Sequence, residues 1–347
     1  MNVAIAHPDA AIRVRLEALI RDAFGVESAW EADDYEDTLN RIRREPPELL
    51  LLSLDLPGGR VQDLTKEIVE ATGCAILLLE GGAPADVATV FDCLGNGAMD
   101  VARLPANPLV ARSEDFAMLR ERFSTLKTLI GSQDSPPLAG LEPAFPSEEL
   151  PLILALGAST GGPKALAAII ESLPVNFPAA VLIVQHLDAH FYAGLADWLA
   201  NGSKLPVHSV DRPVSIESGQ IYVAARPEHM VLSPGKRLSF TREWSDLICR
   251  PSIDVLFKSI AGIRGVRGVA ALLTGMGRDG AEGLLSLRRA GFYTLAQDAP
   301  SSVVYGMPRV AAEIGAATTV LPLSRMGQRM VDKIQTLAIT HQEDSRS

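Results

Sequence analysis

The sequence predicts an α/β protein with two doubly wound domains. Short apolar runs alternate with helical patterns along the 347 residues, and hydrophobic residues make up 47% of the chain. Such alternation is typical of mostly parallel sheets with helices on both faces. The runs that predict strands are 3–6, 49–52 and 75–79 in the first part, and 152–156, 180–184, 219–224, 269–273 and 293–296 in the second.

Glycine, proline and serine mark the division between the two domains. Residues 113–130 carry apolar side chains at helical spacing, and residues 131–149 are rich in Gly, Pro and Ser, as linkers are. We therefore predict a first domain over 1–105, a helix and linker over 106–148, a second domain over 149–335 and a flexible polar tail over 336–347. Within the second domain, residues 206–245 predict shorter strands and a hairpin.

Composition limits the possible partners and location. The net charge is −10 at pH 7, which argues against binding to nucleic acid or to an anionic membrane. The three cysteines form no C-x-x-C pair, and no stretch is long enough for a membrane span. We expect a reduced, cytoplasmic protein without membrane insertion, disulfide framework or cofactor.

A G-x-S-x-G pattern follows the first predicted strand of the second domain. Residues 157–161 read Gly-Ala-Ser-Thr-Gly, and Gly162 and Pro163 begin a predicted helix. A sharp turn between strand and helix needs small residues and leaves a serine oxygen beside free helix-terminal N–H groups. Ser159 is thus a candidate nucleophile, although a glycine-rich anion-binding loop has the same appearance.

A histidine and an aspartate follow two other predicted strands. His186 comes directly after the run 180–184, and Asp279 lies in a glycine-rich turn after 269–273. If the two residues are not catalytic, His186 is a hydrogen-bonded structural histidine and Asp279 is the cap of the next helix. A metal pair of His186 with His190 is a further alternative, but the Glu of metalloprotease motifs is absent, so we expect no metal.

Ser159, His186 and Asp279 together make a plausible catalytic triad at one edge of the sheet. Their chain order is Ser, His, Asp, whereas α/β-hydrolases have the order Ser, Asp or Glu, His. The G-x-S-x-G match therefore does not predict the α/β-hydrolase fold.

The second domain resembles the catalytic domain of the chemotaxis receptor protein-glutamate methylesterases. The matching stretches occur in the family's order between about residues 152 and 325. They are 155–163 (ALGASTGGP), 185–186 (QH), 250–257 (RPSIDVLF), 273–281 (LTGMGRDGA) and 305–308 (YGMP). One departure is 224–230 (AARPEHM), where the family usually has an Ala-Pro-Gly turn before His-Met.

The resemblance implies a role for several residues. It makes Ser159 the nucleophile, His186 the general base and Asp279 the carboxylate that orients it. It also places Thr160 and Met276 in the active-site lining, where backbone N–H groups would hold the oxyanion.

The first domain resembles a two-component receiver domain, which has a flavodoxin-like fold, and residues 91–105 look like the closing pattern of a receiver. The residues for phosphorylation are replaced. Ser53 stands where the phospho-acceptor aspartate belongs, and Leu104 where a lysine belongs. His7 replaces an acid, and Leu79 stands at about the position of a hydroxyl residue. Phosphoryl transfer needs an acceptor carboxylate and a carboxylate-held Mg²⁺, so we predict a pseudo-receiver without phosphorylation.

The implied function is the hydrolysis of glutamate γ-methyl esters on chemoreceptors with release of methanol, and glutamine deamidation uses the same acyl chemistry. The implied partners are the cytoplasmic helices of methylated receptors, with a chemotaxis histidine kinase or another array protein. Two alternatives stay open. One is an esterase of a pilus or surface-motility array, and the other is an inactive regulatory or scaffold homologue.

Overall fold

The computed structural model describes residues 1–81, 86–129, 151–243 and 249–344. The chain divides into two compact units, Met1–Asp134 and Ser135–Ser347. Most of the predicted linker, residues 130–148, lies outside the described residues. Each unit is built on its own parallel sheet, as the alternation of strands and helices predicts.

The sheet of the first unit has five parallel strands in the order β2-β1-β3-β4-β5, which is the flavodoxin-like order. The strands are β1 (Val3–Ala6), β2 (Ser28–Ala32), β3 (Leu49–Ser53), β4 (Ala75–Glu80) and β5 (Asp100–Arg103). The three predicted strands are the central ones and are almost entirely buried. The two edge strands escaped prediction because charged residues interrupt their apolar runs.

Helices join the strands of the first unit. They are α1 (Ala10–Phe24), α2 (Tyr35–Arg44), α3 (Val61–Thr72), α4 (Val87–Gly95) and α5 (Ala117–Leu129). Asp9 caps α1, since its carboxylate accepts hydrogen bonds from the backbone N–H groups of Ala11 and Ile12.

The positions that would perform phosphorylation are buried in the first unit. Ser53 is the last residue of β3 and is 1% exposed, and its hydroxyl accepts a hydrogen bond from the N–H of Asp55. His7 follows β1, and burial lowers its imidazole pKa. Leu79 and Leu104 are also buried. Neither a carboxylate nucleophile nor a lysine stands at these positions.

The sheet of the second unit has seven strands in the order β15-β14-β13-β6-β7-β10-β8, and all its pairings are parallel. A separate antiparallel sheet has the order β11-β12-β9 and is the predicted excursion within 206–245. The strands are β6 (Leu152–Ala158), β7 (Ala179–Gln185), β8 (Val207–Val210), β9 (Val214–Ser215), β10 (Ile221–Ala224), β11 (His229–Ser233), β12 (Arg237–Thr241), β13 (Gly268–Leu272), β14 (Tyr293–Gln297) and β15 (Thr319–Leu321).

Helices connect these strands as well. They are α6 (Gly162–Ser172), α7 (Tyr192–Gly202), α8 (Ile253–Ala261), α9 (Ala281–Arg289), α10 (Met307–Glu313) and α11 (Leu323–Asp344). The predicted polar tail, 336–347, is helical as far as Asp344. Polarity alone suggested a tail, but no Gly or Pro interrupts the chain between Gln328 and Asp344, so α11 continues.

The order of the strands determines where a site can form. β6 is at the middle of the seven-stranded sheet, with β13 on one side and β7 on the other. The loops after these three strands therefore meet at one carboxyl edge, where the sites of parallel α/β sheets form. Within the described residues, no helix is long and apolar enough to cross a membrane.

We predict that the first unit does not accept a phosphoryl group on aspartate, because Ser53 replaces the acceptor. After incubation of the full chain with acetyl phosphate and Mg²⁺, peptides from residues 1–105 should keep their unmodified mass. The Ser159→Ala variant should be treated in parallel, because acetyl phosphate could also acylate a reactive serine. A base-labile phosphoryl adduct within residues 1–105 would contradict the prediction.

Candidate active site

Ser159 lies in the turn between β6 and α6. Its N–H donates to the carbonyl oxygen of Thr274 at 3.0 Å, and its own carbonyl accepts from the N–H of Gly162 at 2.7 Å. Gly161 precedes the helix with φ of 75°, a conformation that favours glycine. Pro163 lies in the first turn of α6, as the sequence predicts. The turn thus holds the serine at the carboxyl edge of the sheet with 6% of its surface exposed.

The loop after β13 packs closely against the serine. A Cβ atom on Gly275 would lie 2.6 Å from the Cβ of Ser159 and 2.5 Å from the sulfur of Met307. The Thr274 hydroxyl also donates to the carbonyl of Thr160 at 2.9 Å. Gly275 is therefore required by the close approach of two loops, and the position of Ser159 depends on it.

His186 is placed beside Ser159 by strand register. Ala158 of β6 pairs with Gln185 of β7, and the N–H of His186 donates to the carbonyl of Ala158 at 3.0 Å. The buried amide of Gln185 donates to the carbonyl oxygens of both Ser159 and His186, each at 2.8 Å. One amide group thus holds the backbone of the serine and of the histidine together.

His186 and Asp279 form a close pair. The distance between His186 Nε2 and an Asp279 carboxylate oxygen is 2.8 Å, and the two side chains are 10% and 15% exposed. Each residue comes from a different loop, one after β7 and one after β13. The structure therefore brings the predicted histidine and aspartate into contact at the same sheet edge as Ser159.

Asp279 does not cap the helix that follows it. Gly280 occupies the N-cap position of α9, with no side-chain cap. The carboxylate of Asp279 instead reaches the start of α8, where it accepts from Ile253 N–H at 2.7 Å, Asp254 N–H at 3.2 Å and the Ser252 hydroxyl at 2.7 Å. The helix dipole adds a partial positive charge there, so the carboxylate is held as an anion.

His186 and Asp279 each shift the pKa of the other toward the charged form. Burial of His186 acts to lower its pKa, but its interactions with Asp279 and Cys249 outweigh burial and raise the pKa well above 6.5. Burial acts to raise the pKa of Asp279, but its contacts with His186, Ser252 and Ile253 outweigh burial and lower it. Burial and the charge of Asp279 together raise the pKa of the neighbouring Asp254 to about 6.

The lining residues lie in the same loops. Thr160 is buried directly after Ser159, and Met276 is half-buried in the loop after β13. In the described part of the chain, the side chains around His186 that are close enough to share an ion are Cys249 and Asp279, and His190 is not among them. The grouping therefore does not support the alternative of a metal site made by His186 and His190.

Sequence reasoning gave no role to four residues at the site: Gln185, His229, Cys249 and Ser252. His229 is buried and accepts a hydrogen bond from the N–H of Ser252 through Nδ1 at 3.0 Å. The hydroxyl of Ser252 contacts the carboxylate of Asp279, although the two residues are 27 positions apart in the sequence. Nothing in the sequence spacing indicated that the hydroxyl of Ser252 would bind the carboxylate of Asp279.

Comparison with known proteins shows to which family the chain belongs. The family model described as CheB methylesterase matches residues 154–330. A "Protein-glutamate methylesterase/protein-glutamine glutaminase" of Mesorhizobium japonicum is 38% identical over 88% of this chain and 90% of its own length. The chain belongs to the CheB methylesterase family. Both units are present in the matched length, since the relative is covered almost completely.

Solved structures resemble the two units separately. The CheB methylesterase catalytic domain of Thermotoga maritima is 33% identical, with a TM-score of 0.49, over 53% of this chain and 99% of that structure. The response regulator domain of Thermotoga maritima CheB is 15% identical, with a TM-score of 0.33, over 39% of this chain and 98% of that structure. The fold of each unit is defined by the strand order of its own sheet.

We predict that Gly275→Ala reduces ester hydrolysis by at least about tenfold, because a misplacement of about 1 Å in an active site has costs of this size or larger. The added methyl group has to displace Ser159 or Met307. Gly235→Ala is the matched control, since a Cβ there meets no atom within 4 Å. Both variants should be compared by kcat/KM and by circular dichroism. Equal kcat/KM in Gly275→Ala and the wild type would contradict this close packing.

The pH dependence of hydrolysis should report the His186–Asp279 pair. Only neutral imidazole can accept a proton, so kcat/KM should rise with pH, with a midpoint above 6.5 because the pKa of His186 is raised. Asp279→Asn removes the negative charge, so the midpoint should fall while the rate drops about 10⁴-fold. Asp332→Asn, on α11, should leave both unchanged. A midpoint that does not move in Asp279→Asn would show that another group controls the profile.

Proposed function

We propose that the protein hydrolyses glutamate γ-methyl esters on chemoreceptors, with Ser159, His186 and Asp279 as its catalytic triad. The observation that carries this proposal is the 2.8 Å contact between His186 and Asp279 at the sheet edge that holds Ser159. The names of the relatives supply the substrate class, a protein glutamate ester.

The contact with Asp279 is the basis on which we assign roles to the two imidazole nitrogens. Nε2 is the atom that contacts Asp279, so we propose Nδ1 as the nitrogen that accepts the proton of Ser159. In the first step Nδ1 accepts the proton of the Ser159 hydroxyl while the oxygen attacks the ester carbonyl. In the common template the roles of the two nitrogens are reversed, but the chemistry requires only one acceptor and one held proton.

Asp279 keeps the imidazole in the productive tautomer and stabilises the imidazolium that forms after proton transfer. It can do so because three hydrogen bonds from Ser252 and the start of α8 fix its carboxylate. Backbone N–H groups of Thr160 and Met276 are our candidates for binding the oxyanion, since both lie in the turns beside Ser159.

The second half of the reaction restores the serine. The imidazolium returns its proton to the leaving methoxide, which departs as methanol and leaves an acyl-enzyme. Water then attacks the acyl group with His186 again as base, and the products are the glutamate carboxylate and free Ser159. A glutamine side chain would react by the same steps with ammonia as the leaving group, which is the glutaminase activity in the relatives' names.

The partners follow from the substrate. We propose the cytoplasmic helices of methylated receptors as the surface that presents the ester, and a chemotaxis kinase or array protein as a further partner. The first unit would act by docking and not by phosphorylation, because its acceptor position is Ser53. An inactive scaffold is the second candidate, but the hydrogen-bonded contact between His186 and Asp279 favours an enzyme.

We predict that Ser159→Ala abolishes methanol release from membranes that contain methylated receptors, because no other group would form the acyl-enzyme. Ser286→Ala is the control, because its hydroxyl donates to the carbonyl of Glu282 within α9. Methanol release by Ser159→Ala within about tenfold of the wild type would exclude Ser159 as the nucleophile, since loss of a triad member costs far more.

A further inference from the structure

We propose that His186, Cys249 and Asp279 form a binding site for Zn²⁺ and that the bound ion holds the enzyme inactive. The inference goes beyond the proposed esterase function, which needs no metal. It depends on three side chains that the fold brings together from three different segments of the chain.

The three side chains are close enough to share one ion. One ligand atom from each lies within 4.8 Å of the others, and all three residues are half-buried. His186 follows β7, Asp279 follows β13 and Cys249 precedes α8. Ligands from separate segments that converge on one point distinguish this group from an isolated cysteine or from acidic residues on an exposed helix.

The chemistry of the group favours zinc over harder cations. A thiolate, an imidazole and a carboxylate are all common zinc ligands, whereas Mg²⁺ and Ca²⁺ bind oxygen atoms almost exclusively. Three protein ligands leave the fourth tetrahedral position for water. The start of α8 also keeps the Asp279 carboxylate ionised, which is the form that binds a cation.

Zinc binding at this place would compete with catalysis. The ion would replace the proton between His186 Nε2 and Asp279, and coordination by Cys249 would release the thiol proton. A neutral imidazole with zinc on Nε2 carries its proton on Nδ1, so it cannot accept the proton of Ser159. The bound ion would therefore inhibit, and a chelator would restore activity.

Binding can be measured without the esterase reaction. The full chain, freed of metal by dialysis against EDTA, should give a near-ultraviolet thiolate-to-Co²⁺ absorption band when it is titrated with Co²⁺, and Zn²⁺ should abolish the band. The double variant Cys74→Ala/Cys93→Ala leaves Cys249 as the only thiol, because the chain has three cysteines. We expect the band to persist in this variant and to disappear in Cys249→Ser.

Inhibition gives the second measurement. Each variant is compared with its own rate in EDTA, so that a change in the uninhibited rate does not matter. Half-inhibition of Cys249→Ser should need at least about tenfold more Zn²⁺ than that of the wild type, since even outer partners of metal ligands change affinity by about 10–100-fold. His208→Gln, which changes a histidine on β8, should behave as the wild type. Mg²⁺ at the same concentrations should not inhibit.

The proposal is overturned if Co²⁺ gives no thiolate band in the Cys249-only variant. It is also overturned if Cys249→Ser, shown to be folded by circular dichroism, binds Zn²⁺ as tightly as the wild type. Binding without inhibition would contradict the claim that the ion occupies His186. Because the absorption band does not depend on turnover, these results remain separate from a failure of the esterase proposal.

Discussion

The site depends on one carboxylate. Asp279 accepts hydrogen bonds from Ser252 and from the first N–H groups of α8, and it also contacts His186. A single carboxylate thus joins the loop after β13 to a helix and to the loop after β7. Buried anions need such partners, because an unpaired buried charge is costly. Catalytic geometry and local stability are therefore linked here: a change that releases Asp279 also releases the imidazole and the start of α8.

Much of this architecture could be predicted from the sequence. The central strands are apolar runs, and the carboxyl ends of neighbouring parallel strands must meet, so Ser159, His186 and Asp279 were expected at one edge. The partners of Asp279 could not be predicted, because the segment before α8 joins the site only through tertiary packing. The same segment places Cys249 close to the imidazole of His186, which depends on the three-dimensional fold and not on sequence spacing.

The first unit combines a flavodoxin-like strand order with positions that lack the groups for phosphoryl transfer to aspartate. Its five strands keep the flavodoxin-like order, yet the position at the end of β3 is a buried serine and the one after β5 is a buried leucine. Burial of apolar side chains stabilises such a sheet, whichever residues occupy the loops at its edge. We propose that the first unit works without phosphorylation, so that control of the esterase lies in docking or in a cation at the active site.

The most direct test of the account is the site of covalent labelling by a fluorophosphonate probe, which reacts with serines activated by a histidine. The account predicts one adduct per chain, at Ser159, with labelling that slows strongly in Asp279→Asn because the imidazole is no longer held as a base. An adduct at another residue, or methanol release without any labelling of Ser159, would contradict it.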